Sequence, residues 1–215
     1  MNFTLAPLGD RGITVGLGEG ISVELSDRVV EFANAVTSAS IRGVTDVVPS
    51  YASFGVFYNL LELSFADLSA RLESVLTDVE SDDEESVEGR LVHIPVAYDG
   101  EDMDDVCRRT KLTRSEVIEI HSSREYRVFV VGFVPGFAYL GPLDPRLIVP
   151  RRESPRKKVP AGSVAIAEAQ TGVYPSETPG GWNLIGTTTE RMFDPSRLDP
   201  ALLHVGDKVK FEVVT

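Results

Sequence analysis

Cysteine is all but missing from this chain of 215 residues: Cys107 stands alone. A single thiol excludes an intrachain disulfide, a cysteine-rich zinc site and a CxxC redox pair. Cys107 falls in a segment of helical character, where a buried structural thiol is expected rather than a Cys-His nucleophile. The three histidines, His93, His121 and His204, are scattered without an HxH or HExxH pairing. The acidic clusters Asp82 to Glu85 and Asp102 to Asp105 lack the glycine and terminal glutamate of a calcium loop, so no protein-bound metal is expected. There is no GxxxxGK[ST] or GxGxxG fingerprint, which excludes the common self-contained nucleotide sites, and Ser163 in Ala-Gly-Ser-Val is not a nucleophile elbow. No run approaches the roughly 20 apolar residues that span a bilayer. The first twelve residues show no charged region followed by an apolar stretch, so the expected compartment is the cytoplasm. Base is also in deficit: 21 Lys and Arg against 33 Asp and Glu leave a net charge of -12. General binding of nucleic acid or of an anionic membrane needs clustered positive charge that outweighs such repulsion.

What is present reads as a globular chain, 42% hydrophobic and 25% charged, long enough for one large or two small domains. Between two structured segments, Asp78 to Glu88 carries seven carboxylates and no base. That run reads as an interdomain linker over 80–89 or an exposed loop, with a solvated helix end as the alternative. No internal repeat is visible, which sets solenoids and propellers aside. The predicted domains are a small α+β domain over 1–79 and a mainly-β domain over 90–215.

In the first, Phe3 to Leu8 and Ile13 to Leu17 alternate as short strands around the turn-rich Gly9 to Gly12. Leu25, Val29, Val30, Phe32, Ala33 and Val36 then recur at helical spacing, with Ser26 or Asp27 as the cap and Gly43 as the stop. Val44 to Val48 and Ser53 to Tyr58 form a second strand pair with Pro49 and Ser50 in its turn. Ser64 to Asp67 opens a second helix with an apolar stripe of Leu68, Leu72, Val75 and Leu76. The order β-β-α-β-β-α predicts helices packed on one face of an antiparallel sheet. In the second domain, Arg90 to Tyr98 is a strand, Asp102 to Arg109 a short helix, and Thr113 to Glu116 a capping box opening a helix over Val117 to His121. Tyr126 to Phe133 is the best buried strand candidate. Short strands at Val164 to Ala167, Trp182 to Ile185 and Lys208 to Val213, separated by long Gly/Pro loops, argue for a barrel or sandwich.

Gly132 to Trp182 holds eight of the thirteen prolines and six of the 21 basic residues. Such a density rules out long helices and implies rigid, shaped loops, where binding and catalysis usually sit. Its bases are Arg146, Arg151, Arg152, Arg156, Lys157 and Lys158. Guanidinium forks bind carboxylate and phosphate, and Pro150, Pro155 and Pro160 hold the backbone extended, so an anion cradle is one reading. Pairing with the chain's own acids across a domain or subunit surface is the other. Phe133, Phe137, Tyr139, Tyr174 and Trp182 suit one wall of a pocket. Core packing is the competing role, expected for Phe133 more than for Tyr139 and Tyr174.

These blocks resemble a family. Gly132-Phe-Val-Pro-Gly-Phe-Ala-Tyr-Leu-Gly141, Pro150-Arg151, Pro155-Arg156, Val159 to Val164, Gln170-Thr-Gly-Val-Tyr-Pro175 and Pro179 to Trp182 are similar to the carboxyltransferase-domain family called allophanate hydrolase subunit 1. The opening Pro-Leu-Gly-Asp, Ile94 to Tyr98, His121-Ser122, Phe193 to Pro195 and Gly206 to Val209 extend the resemblance to nearly the full length. The resemblance implies a cyclophilin-like β-barrel after a small α+β domain. It also implies work in a complex with a PxpC-like subunit (allophanate hydrolase subunit 2) and a LamB/YcsF-like PxpA subunit, opening 5-oxoproline to glutamate with ATP as co-substrate. Other activities within the resemblance are a KipI-like inhibitor of a sensor histidine kinase and the carboxyltransferase half of a urea carboxylase, although no Met-Lys-Met biotinylation signal occurs here. On the leading reading Arg151 and Arg156 hold a phosphate or carboxylate, and Gln170, Thr171, Tyr174 and Tyr139 supply neutral contacts; no general base is identified. The chain departs from the family pattern at Asp99 to Val106, expected to alter only a loop, and at Thr187, where a cation is common.

Overall fold

In the first half of the chain, apolar residues two apart in the strands and three to four apart in the helices are brought onto one shared core. The computed structural model describes residues 3–81 and 89–214, and the chain divides into two compact units, Met1–Glu88 and Gly89–Thr215. Residues 82–88 of the acidic run lie outside the described residues, while Asp78 to Ser81 complete a helix.

The first unit comprises β1 (Thr4–Pro7), β2 (Gly12–Gly16), α1 (Val23–Ser38), β3 (Val44–Ser50), β4 (Ser53–Tyr58) and α2 (Phe65–Ser81). Its sheet is antiparallel in the order β1-β2-β4-β3. Ile13, Val15, Phe54, Val56 and Tyr58 alternate onto one face and meet Val29, Phe32, Ala33 and Val36 of α1 and Leu68, Leu72 and Leu76 of α2. Two local expectations are corrected. The cap of α1 is Ser22, whose Oγ accepts from the Leu25 N–H at 3.1 Å; Ser26 lies inside the helix and is buried. A capping oxygen must sit two or three residues before the amide it takes, and only Ser22 does so. Pro49 and Ser50 belong to β3, paired with Phe54 and Ser53, and the chain reverses at Tyr51 and Ala52. Pro49 is tolerated because β3 is an edge strand, where a missing donor breaks no ladder.

The second unit is a mixed α/β structure built on one curled sheet. It runs β5 (Leu91–Val96), α3 (Met103–Thr110), α4 (Arg114–Ser122), β6 (Glu125–Val131), β7 (Ala138–Gly141), a 3-10 turn at Pro145–Leu147, β8 (Arg156–Val159), β9 (Ser163–Ala167), β10 (Gln170–Val173), β11 (Thr178–Gly180), β12 (Asn183–Thr187) and β13 (Lys208–Val213). Seven strands follow the order β12-β9-β10-β7-β6-β13-β5, and β8 and β11 form a separate ribbon. Only β13 and β5 pair in parallel within the seven-stranded sheet. The sheet curls until its two edges meet: Ala97, just past β5, and Thr187 of β12 exchange backbone hydrogen bonds of 2.9 and 2.7 Å. Inside the curl lie Val96, Val128, Leu140, Val164, Ile166, Val173, Ile185 and Val209, joined by Met103 and Val106 of α3 and Val117 and Ile120 of α4. The expected capping box at Thr113 and Glu116 is present and starts α4. Four strands fall in segments expected as Gly/Pro loops: β7, β8, β10 and β11. Among the described residues no helix is long and apolar enough to cross a membrane.

Candidate functional site

Asp102 precedes α3 but caps nothing with its side chain. The side chain is 5% exposed and turns to the segment before β8. Its Oδ1 accepts from Arg152 Nη1 at 2.6 Å and Arg156 Nη2 at 2.8 Å, and its Oδ2 accepts from the Leu184 N–H at 2.7 Å. Burial alone would raise the Asp102 pKa; hydrogen bonds from Arg156 and Leu184 and the charges of Arg156 and Arg152 outweigh it, so the carboxyl is held below its ordinary value. Arg156 also donates through Nε to Glu101 at 2.9 Å. Two further nitrogens, Arg156 Nη1 and Arg152 Nε, are buried without a hydrogen-bond partner among the described residues. The segment Asp99 to Val106 is therefore more than the altered loop expected from sequence, since it supplies the carboxylates that hold two arginines. Thr187 Oγ1 donates to Asp99 Oδ1 at 2.8 Å.

Beside the arginines is an aromatic cluster on the outer face of the sheet. Phe137 is its centre, with Tyr139 at 4.8 Å, Tyr174 at 5.2 Å and Trp182 at 5.6 Å between ring centroids, all near edge-to-face. The Tyr174 hydroxyl abuts Gly180, where an added Cβ would stand 2.8 Å from its Cζ. Gly180 is in turn the cross-strand partner of Arg156. Burial raises the Tyr174 pKa; a hydrogen bond with the Trp182 backbone lowers it, Tyr139 raises it, and the charges of Arg151 and Arg156 lower it. Arg151, Arg156, Tyr139 and Tyr174 thus share one neighbourhood, with Arg151 exposed at its margin.

The expectation for the aromatics is reversed at two positions. Tyr174 is buried in the outer cluster, whereas Phe133 is 62% exposed. The strand β6 stops at Val131, and Phe133 sits in the left-handed region at φ 70° in the turn before β7, edge-on to Phe137 at 5.7 Å. The basic cluster is also divided. Arg146 returns to Asp144 at 2.9 Å and Lys158 pairs with Glu177 at 2.8 Å, so most of these bases meet acids of their own unit.

Thr171 does not join the arginines. It is fully buried on the inner face of β10, where its Oγ1 donates to the Ala165 carbonyl at 3.0 Å. With its one proton so used, Thr171 Oγ1 must accept from His121 Nε2, 2.9 Å away, which leaves Nδ1 to accept from the Tyr98 hydroxyl at 2.7 Å. One carbonyl thereby fixes the tautomer of a buried histidine. Burial pushes the His121 pKa down to about 3 and the Tyr98 pKa up. This chain of hydrogen bonds is enclosed by Phe211, which stacks on the imidazole, and by Tyr126, which is tilted against it. Gln170 opens β10 opposite Ala167, half-buried and on the same face as Gly172.

Cys107 is half-buried rather than buried, packed against the inner core with its pKa raised by burial. Among the described residues no group of three or more His, Cys, Asp and Glu is placed to hold a metal ion. The residues not singled out from sequence are Asp102 and Glu101, the carboxylates that hold Arg152 and Arg156. The signal available was charge complementarity, an acid-rich turn at 99–105 against the basic stretch 151–158.

Residues 3–203 match the family described as carboxyltransferase domain, subdomain C and D. The chain is 39% identical to the B subunit of 5-oxoprolinase from Bacillus subtilis (strain 168), over 98% of this chain and 92% of that one. It is 39% identical to TTHA0988, whose crystal structure matches with a TM-score of 0.85 over 95% of this chain; the chain spans only 40% of that protein. K. lactis urea amidolyase, 21% identical with a TM-score of 0.79, covers 99% of this chain with 15% of its own length and shares the fold.

Proposed function

We propose, from the premise that this chain belongs to the carboxyltransferase domain, subdomain C and D family, that it is the B subunit of an ATP-dependent 5-oxoprolinase. The observation that carries this reading is the near full-length match to a protein of that name. Its cyclophilin-like barrel would work in the cytoplasm with a PxpC-like and a PxpA-like subunit, and the complex rather than this chain alone would turn over substrate. Hydrolysis of the lactam is uphill enough to need ATP. Transfer of the γ-phosphoryl group to the lactam carbonyl oxygen makes that oxygen a leaving group. Water adds to the carbon, the ring C–N bond breaks with protonation of nitrogen to give the open-chain acyl phosphate, and a second water displaces phosphate to leave glutamate.

In this chain the anion falls to Arg156 and Arg151. Arg156 is aimed by Asp102, and a guanidinium binds carboxylate or phosphoryl oxygens through charge-assisted bonds. Tyr174 and Tyr139 stand beside it with hydroxyls able to orient a ligand oxygen by hydrogen bonding. Gln170 is the amide closest in sequence to this face. Thr171 acts at one remove, holding β10 to the core through His121 and Ala165. The test is co-expression with the PxpC-like and PxpA-like chains and assay of 5-oxoproline-dependent ATP hydrolysis. Arg156→Ala is expected to lower kcat/KM by the loss of one charge-assisted contact, about 1.5–3 kcal/mol or roughly 10- to 150-fold. Unchanged activity of that variant would remove Arg156 from the site.

A further inference from the structure

We infer that Glu101 is the exchangeable counter-ion of the anion subsite on Arg156, its carboxylate standing where a carboxylate or phosphoryl oxygen of the ligand goes. The inference rests on the anion-site reading above. Arg156 contacts two carboxylates through one side of its guanidinium, Glu101 through Nε and Asp102 through Nη2. A single carboxylate or phosphate could take both positions at once; here each is held by a separate residue.

The two carboxylates differ in how firmly they are placed. Asp102 is 5% exposed, shares Oδ1 with Arg152 and is tied through Oδ2 to the Leu184 N–H. Removing it would leave two guanidinium groups without their buried partner, which is strongly unfavourable. Glu101 is 63% exposed and, among the described residues, reaches only the Nε of Arg156. An exposed pair of this kind gains little, because water competes for both charges and a long side chain must be held still. Asp102 therefore stays as the anchor and Glu101 leaves. When it does, Arg156 keeps its orientation through Asp102 and through the pairing of β8 with Gly180. A neutral ligand offers the guanidinium no charge in exchange and cannot displace Glu101. The contact thus selects for anionic ligands while lowering their apparent affinity.

The test measures binding of 5-oxoproline and, separately, inorganic phosphate by titration calorimetry, on the full-length chain and on the co-expressed complex. The neutral lactam 2-pyrrolidinone serves as a control. Glu101→Gln removes the competing charge at an exposed position, and its Kd for the anion that uses the subsite is expected to tighten about three- to fivefold, the most that an exposed pair contributes. Arg156→Gln is expected to abolish that gain, and 2-pyrrolidinone binding to be the same with Glu101 or Gln. Tightening toward 5-oxoproline alone assigns the subsite to the carboxylate, and toward phosphate alone to the phosphoryl group. If wild type binds an anion and Glu101→Gln binds it equally or more weakly, the inference is overturned while the anion-site reading stands. If Arg156→Gln binds as wild type does, or if neither anion binds to the wild-type chain or complex, the anion-site reading fails and the inference with it.

Discussion

A buried imidazole held by two hydroxyls makes this protein sensitive to acid well above the range in which carboxylates titrate. The His121 pKa is lowered from 6.5 to about 3 by burial. Between those values the unfolded chain binds a proton that the folded chain refuses, so stability falls as pH drops below 6.5, by at most about 1.4 kcal/mol per pH unit. Asp102 and Asp207 are held below their ordinary pKa of 3.8; their contribution is present above that value and is lost only in stronger acid. The decline between pH 6.5 and 5 is therefore assigned to His121. Urea midpoints at pH 7.5 and pH 5 are expected to show it in wild type. In His121→Gln the difference should shrink, with stability at pH 7.5 about 1–3 kcal/mol lower from an imperfectly satisfied site. Equal wild-type midpoints at the two pH values would contradict the assignment. This network was not legible in the sequence. A lone histidine carries no spacing signal, and its partners Tyr98 and Thr171 lie 23 and 50 residues away. Arg156 and Tyr174 stand out in the sequence because they sit in blocks dense in proline and glycine.

Among elements, those encoded by local chemistry were legible and those made by tertiary pairing were not. The capping box of α4 needs only Thr113 and Glu116, three residues apart, and it is read from sequence and present in the structure. The strands β8 and β11 contain Lys157, Lys158, Pro179 and Gly180, poor strand formers that are extended because they pair with each other. That ribbon lies over Tyr174 only because residue 180 has no side chain. A Cβ there would meet the Tyr174 ring carbons at 2.8 and 2.9 Å, and the ring is packed against Phe137 and cannot recede freely. Gly180→Ala is accordingly expected to destabilise the second unit by about 1–3 kcal/mol, as overpacking does. It should also push the ribbon that carries Arg156 outward. Thermal unfolding reads the first effect, and a change in fluorescence of Trp182, the only tryptophan, reads the second. A Gly180→Ala protein with unchanged melting and emission would show that the ribbon is not seated on Tyr174.

Over the whole chain, the alternation of apolar residues and the turn signals foretold many short strands with few helices in the second half. What closes the sheet was invisible, because closure joins residues near 97 and 187 through their backbones rather than through recognisable side chains. The two edges approach this closely where glycine removes the obstacle. The register of β12 shifts between Leu184 and Gly186, and a Cβ on Gly186 would stand 2.6 Å from the Ala97 carbonyl oxygen and 2.8 Å from a methyl of Val96. A backbone carbonyl cannot turn aside as a flexible side chain does, and this one already accepts from the Thr187 N–H at 2.7 Å. Gly186→Ala must therefore separate the edges, breaking the reciprocal bonds between Ala97 and Thr187 and exposing their amides to water. Hydrogen exchange is expected to accelerate most at Ala97 and Thr187, with a loss of about 1–3 kcal/mol in the stability of the second unit. The same substitution at Gly20, where an added Cβ meets nothing within 4 Å, supplies a control: it is strained at φ 86° but lies far from this seam in sequence. Its effect should leave the exchange of Ala97 and Thr187 unchanged. If Gly186→Ala also leaves those two amides as slow as in wild type, the sheet is held closed by its core alone and the backbone seam contributes nothing.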